Sequence, residues 1–158
     1  IAQSMPLADM DGDRLKRMFE VNTLGAYLCA REAARMLPIS KGGNGGAIVV
    51  MSSMAAKLGS PFNFVDYAGS KAALDTLTTG LALELAGDGV RVNAVRPGLI
   101  DTEIHADCGI PDRAEKLGAQ TPMGRAGTAD EVAEAVLWLL SDASSYSTGA
   151  IIDVSGGR

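Results

Sequence analysis

Two residues one helical turn apart could do chemistry in this 158-residue sequence. Tyr67 and Lys71 stand in DYAGSKAALDTLTTGLALELA, a largely apolar stretch over residues 66–86. Side chains four residues apart lie on the same face of an α-helix. A phenol has an ordinary pKa of about 10, and an adjacent ammonium lowers it because the cation favours the phenolate. The pair could therefore give or take a proton near neutral pH.

A serine at the end of a strand completes this chemistry. Ser53 closes AIVVMSS, residues 47–53, whose continuous apolar run predicts a strand covered on both faces. Ligands of open α/β sheets bind at the carboxyl ends of the strands. A hydroxyl there could hold the substrate oxygen whose proton Tyr67 gives or takes, which is equipment for interconverting an alcohol and a ketone. Taken alone, Ser53 could simply form a turn. Tyr67 and Lys71 alone could be an ordinary pair on a helix surface.

The hydrophobic pattern predicts the elements that position these residues. Helices are expected over 11–37 with a bend near Gly25, from about Tyr67, and after Thr128, which forms a capping box with Glu131. Strands are expected at 47–53, at 91–98 and in TGAIIDVSGG near the end of the sequence. Strands that alternate with helices favour a parallel sheet. Because three strands make a narrow sheet, the chain looks like part of a larger doubly wound one.

Composition excludes several other classes of protein. The formal net charge of −5 argues against nucleic acid as a partner. Cys29 and Cys108 stand in unrelated contexts that fit neither a disulfide framework nor a metal site. Neither a membrane-spanning run nor a signal peptide is evident, so we expect a cytoplasmic protein without a membrane or metal partner.

Several motifs together resemble one family. The run from IVVMSS through YAGSK to RVNAVRPGLIDTE, with EVNTLG before it and TGAIIDVSGG after it, closely resembles the short-chain dehydrogenase/reductase family. The resemblance implies an α/β fold with a Rossmann-like doubly wound parallel sheet. Residues 1–158 would be a single domain, namely the catalytic and C-terminal two-thirds of the family's domain.

The resemblance also implies roles for the residues singled out above. Tyr67 would be the general acid/base, and Ser53 would orient the substrate oxygen, with Ser52 as the competing candidate. Lys71 would hold the nicotinamide ribose hydroxyls and lower the pKa of the tyrosine. Asn22, in EVNTLG, would hold a water in a proton relay to the lysine; alternatively it satisfies a backbone group inside a bent helix.

Cofactor contacts are implied beyond the second strand. Pro97 and Gly98 would lie along the nicotinamide, with the backbone near Ile100 and the hydroxyl of Thr102 reaching the carboxamide or the phosphates. Pro97 and Gly98 could also simply stop the strand. The segment 105–127 resembles the family's mobile substrate-binding lid, in which His105 is a candidate substrate contact rather than a catalytic base or metal ligand.

The family's Gly-rich phosphate turn, Thr-Gly-x-x-x-Gly-x-Gly, has no counterpart in the sequence. GGNGGA precedes a strand, whereas a phosphate loop follows one, so we interpret GGNGGA as a flexible connection. We therefore expect the sequence to start about one third of the way into the usual domain. The residue that distinguishes NAD from NADP would fall in that missing part, and the cofactor is predicted as NAD or NADP.

Two functions follow as hypotheses. The first is an NAD(P)-dependent oxidoreductase acting on a small-molecule carbonyl or alcohol, similar to bacterial sugar dehydrogenase-like members and 3-oxoacyl-carrier-protein reductases. Because the acidic composition gives no sign of docking to an acidic carrier protein, it favours a small polyol, sugar or other carbonyl compound as the substrate. The alternative is a truncated, non-catalytic chain whose remaining role is oligomer assembly. Helices 11–37 and 67–86 correspond to those that pack between subunits in the family, so a homodimer or homotetramer is expected.

Overall fold

A three-stranded parallel sheet forms the centre of the protein. The computed structural model describes residues 4–103 and 113–158. Its strands are β1 (Gly46–Met51), β2 (Val90–Pro97) and β3 (Ile151–Val154), in the spatial order β1-β2-β3. Gly46 lies opposite Val90 in the register of the first pair. The prediction of an α/β fold with a parallel sheet is confirmed.

Helices precede, connect and flank these strands. The α-helices of the described residues are α1 (Gly12–Phe19), α2 (Gly25–Met36), α3 (Ala55–Leu58), α4 (Val65–Leu85), α5 (Arg113–Gly118) and α6 (Ala129–Leu140). Short 3₁₀ turns lie at Leu7–Asp9, Ile39–Lys41, Ala86–Asp88 and Asp142–Ser144. None of the helices in the described ranges is long and apolar enough to cross a membrane.

The predicted helix boundaries agree well with the structure. A π-helical turn, Glu20–Leu24, joins α1 directly to α2, and it is the irregularity that the sequence placed near Gly25. Asp11 caps α1 by accepting a hydrogen bond from the Arg14 amide. The capping box that begins α6 at Thr128 is confirmed, since Thr128 and Glu131 each accept from the other's backbone.

Apolar side chains from both faces of the sheet form the core. Val90 and Val92 pack with Leu81 and Leu85 of α4 on one face. On the other face, Val95 packs with side chains of α6. β1 likewise contacts both layers, as its continuous apolar run predicted. Because alternate residues of a strand point to opposite faces, β2 can serve both layers at once.

The glycine-rich connection before β1 is more ordered than predicted. Gly43 donates its amide to Pro38 O and Gly45 donates to Leu37 O, both at 2.9 Å. A Cβ at Gly43 would lie only 2.2 Å from the Leu37 carbonyl oxygen. This close approach of two backbone segments requires glycine, so the segment is a tight turn rather than a loose linker.

Candidate functional site

A cavity of about 810 Å³ opens at the carboxyl edge of the sheet. Its wall combines the ends of β1 and β2 with the first turns of α4 and one side of α6. All the residues that the sequence singled out for catalysis or cofactor contact line it: Asn22, Ser53, Tyr67, Lys71, Pro97, Gly98, Ile100 and Thr102. Residues distant in sequence are thus brought together at one place.

Tyr67 and Lys71 share one face of α4, as their spacing predicted. The Lys71 ammonium nitrogen lies 5.8 Å from the centre of the Tyr67 ring. It donates a hydrogen bond of 2.8 Å to the carbonyl of Met51, the last residue of β1. Burial of the lysine lowers its pKa, because the charged form loses hydration. The lysine therefore connects the helix to the strand end while keeping a cation beside the phenol.

The two serines after β1 have different surroundings. Ser52 is buried, and its hydroxyl donates to the Lys71 carbonyl at 3.3 Å. Ser53 is half-buried and its Oγ accepts from the Ala55 amide at 3.1 Å. Since a hydroxyl has one donor as well as two lone pairs, this contact leaves the O–H of Ser53 able to donate toward the cavity. The arrangement favours Ser53 over Ser52 as the residue that meets a ligand.

Asn22 lies within the π-helical turn and faces α4. Its Nδ2 donates to Ser70 Oγ at 3.2 Å and contacts Met18 Sδ at 3.0 Å. Thr23, the next residue, donates to the Ser70 carbonyl at 3.0 Å. A π-turn widens the helix by one residue, which lets both side chains reach the same partner, and such turns are frequent at functional sites. Both contacts of Asn22 Nδ2 are to side chains, and its role in a proton relay stays a prediction beside the structural alternative.

A buried carboxylate beside the tyrosine was missed by the sequence reasoning. Asp66 accepts from Arg14 Nε of α1 at 2.9 Å, and its other oxygen accepts from the Tyr67 amide at 2.9 Å. The Asp66 side chain is fully buried. An acidic residue in the first turn of a helix is a recognisable signal. Asp66 holds the start of α4, and with it Tyr67, against α1.

The turn after β2 is held from both sides. Gly98 donates to the Val154 carbonyl of β3 at 2.8 Å, and Met54 donates to the Pro97 carbonyl at 3.0 Å. A Cβ on Gly98 would lie 2.7 Å from the Cα of Ser155. Glycine is thus needed here for close packing of two backbones, beyond the strand stop that the sequence suggested.

Other lining residues had no signal in the sequence. Among the described residues on the side away from α6 they are mostly apolar, and Arg158 is the charged member of this group: Met51, Met54, Ala55, Leu58, Ser60, Phe64, Leu99 and Arg158. Within the described ranges, no group of three His, Cys, Asp or Glu side chains is placed to hold a metal ion.

The predicted lid is described only in part. His105 and Cys108 lie outside the described residues. Residues 113–127 contain α5 and a buried threonine, Thr121, whose hydroxyl bonds to the Gly118 and Arg125 carbonyls at 2.9 Å. This part of the segment is packed, and its role toward substrate stays a prediction.

Comparisons with known proteins identify similar sequences and a similar fold. A family model described as enoyl-(acyl carrier protein) reductase matches residues 1–158. A crystal structure of a short-chain type dehydrogenase/reductase from Mycobacterium marinum superimposes with a TM-score of 0.89 at 35% identity, over 99% of this chain and 61% of that one. The chain belongs to the short-chain dehydrogenase/reductase family.

Relatives within this family have names of oxidoreductases. The chain is 52% identical over 150 residues to the oxidoreductase YgfF of Escherichia coli (strain K12), covering 95% of this chain and 61% of the relative. It is 41% identical over 151 residues to an NADPH-dependent aldehyde reductase-like chloroplastic protein of Arabidopsis thaliana, covering 96% and 54% respectively. The chain therefore spans between half and two thirds of the length of these relatives.

Proposed function

We propose that the protein is an NAD(P)-dependent oxidoreductase that interconverts a secondary alcohol and a ketone, with Tyr67 as the general acid/base. The observation that carries this proposal is the convergence of Ser53, Tyr67 and Lys71 on one cavity beside the Pro97–Gly98 turn. Family membership supports the class of reaction. The substrate is proposed as a small carbonyl or alcohol compound.

In the proposed mechanism the chain's own residues handle the proton and orient the substrate. Ser53 donates its O–H to the substrate oxygen, since the bond from the Ala55 amide occupies one lone pair and leaves the hydroxyl proton to donate. Tyr67 transfers the proton to or from that same oxygen. The Lys71 ammonium favours the phenolate, and its own bond to Met51 O fixes its position. Asn22, whose amide faces α4, would hold a water molecule that relays protons to Lys71.

The lining residues fit a nicotinamide cofactor. The volume of about 810 Å³ lies in the range of small-molecule sites, about 300 to 1,000 Å³. An ammonium has three donors, of which the described part of Lys71's surroundings uses one, so the others suit the hydroxyls of a ribose. Pro97, Gly98, Ile100 and Thr102 would contact the nicotinamide side. When bound, NAD or NADP supplies the hydride transfer.

The decisive experiment replaces the phenolic oxygen. Tyr67→Phe in the intact protein is expected to lower turnover on a panel of ketones with NADH and NADPH by about 10²-fold or more, with an unchanged unfolding midpoint. Tyr146→Phe is the matched control, because that ring is fully exposed. Normal turnover in Tyr67→Phe would remove the tyrosine from the mechanism, and a wild-type protein inactive on the whole panel would contradict the reaction class.

The alternative role in assembly has its own support. Phe19, Val21, Leu24 and Leu28 are exposed apolar residues on the α1–α2 helical path, and Leu83 of α4 is 81% exposed. We propose that a second copy of the chain covers these faces. Light scattering on the intact protein and on Leu83→Glu tests this: a dimer or tetramer that the substitution dissociates supports it, whereas a monomeric wild-type protein contradicts it.

We also propose that residues 1–158 belong to one domain. Helices pack on both faces of the sheet, and β1 and β2 contribute side chains to both apolar layers. The two layers are therefore parts of one core. A single cooperative unfolding transition seen by both circular dichroism and Trp138 fluorescence would be expected.

A further inference from the structure

Four charged side chains form a chain of ion pairs that links α3, α4 and the ends of β2 and β3. Lys57 Nζ lies 2.9 Å from Asp153 Oδ2, and Arg96 Nη1 lies 3.5 Å from Asp153 Oδ1. Arg96 then donates to Asp75 Oδ2 through both Nη2, at 2.8 Å, and Nε, at 3.1 Å. The side chains of Arg96 and Asp75 are largely buried, with 19% and 13% exposed. None of the four lines the cavity.

Each of these charges is adjacent to a different part of the proposed site. Lys57 lies on α3, four residues after Ser53. Asp75 lies on α4, one helical turn beyond Lys71. Arg96 immediately precedes Pro97 at the end of β2. The network therefore joins, through Asp153 of β3, the three segments that carry the proposed catalytic and cofactor-contacting residues.

The Arg96–Asp75 pair is not arranged for greatest stability. A guanidinium normally matches a carboxylate by using both oxygens. Here Asp75 Oδ2 accepts both bonds, and Oδ1 is buried without a hydrogen-bond partner in the described part of the chain. Such an atom costs free energy, and buried ion pairs are weak evidence for a stabilising role. Hydrogen bonding to Asp75 is the main cause that raises the pKa of Arg96, so the guanidinium stays charged.

We propose that Arg96 and Asp75 are positioning residues that set the distance between Lys71 and the Pro97–Gly98 turn, an inference that rests on the proposed function. The guanidinium holds the backbone of residue 96 against α4 at the turn that follows Lys71. The same group contacts Asp153, which Lys57 holds in turn beside α3. The Arg96–Asp75 pair thereby affects nicotinamide binding through Lys71 and the Pro97–Gly98 turn, without contacting the cofactor itself.

Arg91 offers a matched control on the same strand. It points to the opposite face of β2, where it donates to Leu139 O at 2.9 Å and Ser144 Oγ at 2.8 Å. Removing either guanidinium deletes a partly buried cation from β2, but of the two only Arg96 pairs with a carboxylate on α4, the helix that carries Tyr67 and Lys71. The two substitutions therefore separate positioning from general loss of stability.

The test compares Arg96→Met, Arg96→Lys, Asp75→Asn and Arg91→Met in the intact protein. NADH and NADPH are titrated by fluorescence, and hydrogen exchange of the Gly98 amide reports on the turn. Arg96→Met should weaken binding of the preferred cofactor by about tenfold or more and speed exchange at Gly98, since small displacements of positioned groups are costly. Arg96→Lys should be intermediate. Arg91→Met should lower the unfolding midpoint and leave cofactor affinity within about twofold.

A double variant tests whether Arg96 and Asp75 act through the same interaction. If Arg96 and Asp75 act together, Arg96→Met with Asp75→Asn should bind cofactor no more weakly than Arg96→Met alone. Equal losses of affinity in Arg91→Met and Arg96→Met, or unchanged binding and exchange in Arg96→Met, would overturn the inference and leave the proposed function standing. A wild-type protein that binds neither cofactor would contradict the proposed function, while faster Gly98 exchange in Arg96→Met alone would still support the positioning role.

Discussion

The start of β2 and the cavity at the carboxyl edge of the sheet use polar side chains in opposite ways. At the start of β2, Arg91 and Asn93 hydrogen-bond to the end of the last helix and to the segment between that helix and β3. Asn93 Nδ2 donates to Ser147 O at 2.8 Å and its Oδ1 accepts from the Ala150 amide at 3.0 Å. Arg91 donates to carbonyls at the end of α6, where a cation also meets the negative end of the helix.

At the carboxyl edge the neighbouring polar groups are incompletely used. Within the described residues, Lys71 uses one of its three ammonium donors in the hydrogen bond to Met51 O. Ser53 accepts a hydrogen bond from the Ala55 amide, and its hydroxyl proton can still be donated to a ligand. Both groups line the cavity, whereas Asn93 is completely buried. Complete pairing indicates a structural role, and spare hydrogen-bonding capacity at a cavity indicates a role toward a ligand. Substitutions in the two regions should therefore have separable effects.

The largest expected effect on stability belongs to Asn93. Asn93→Leu conserves volume but leaves the Ser147 carbonyl and the Ala150 amide without their partner. We expect the free energy of unfolding to fall by about 2 to 4 kcal/mol, as for two buried polar groups left unpaired. Urea denaturation measures this, with Asn44→Ala at an exposed turn as the control. A midpoint close to that of the wild type would contradict the structural role assigned to the start of β2.

An intermediate effect should distinguish the adjacent serines. Ser53→Ala is expected to lower turnover by about tenfold or more, because it removes the hydrogen bond to the substrate oxygen. It should also lower the free energy of unfolding by about 1 kcal/mol, because the Ala55 amide loses its acceptor. Ser52→Ala should lower the free energy of unfolding by about 1 kcal/mol, the worth of one hydrogen bond, here to the Lys71 carbonyl. Steady-state kinetics and urea denaturation of both variants check the assignment, which is reversed if the kinetic loss appears in Ser52→Ala.

The smallest effect concerns an exposed carboxylate in the first turn of α6, which forms an ion pair with Arg125. Arg125, and then the Thr128 amide, lower the pKa of Glu131 to about 2. Because the folded pKa lies below the unfolded one, Glu131 contributes stability that is present above about pH 4.5 and is lost as the pH falls toward 2. Glu131→Gln should slightly lower the unfolding midpoint at pH 7, and the difference should shrink as the pH falls below 4.5. A difference that is constant with pH would argue against this ion pair.

Much of this site could be predicted because its signals are local. Four-residue spacing on a helix is enough to place Tyr67 and Lys71 on one face, and Thr128 with Glu131 is enough to start α6. Ser53, Pro97 and Gly98 stand at strand ends, where a parallel sheet collects them at one edge. The roles of these residues stay predictions until kinetics test them. Asn93, Arg96 and Asp75 were not predicted, since their partners come from other elements of the chain.

The sequence by itself determined the order of strands and helices, the caps and the residue types available at the carboxyl edge, because these depend on periodicity and near neighbours. Only the tertiary structure decided which polar groups are spent within the fold. It closed Arg91 and Asn93 onto backbone carbonyls and amides, and it joined Arg96 to Asp75 across 21 positions of the chain. Such pairings depend on how helices pack across the sheet, and no local pattern of residues specifies that distance or direction.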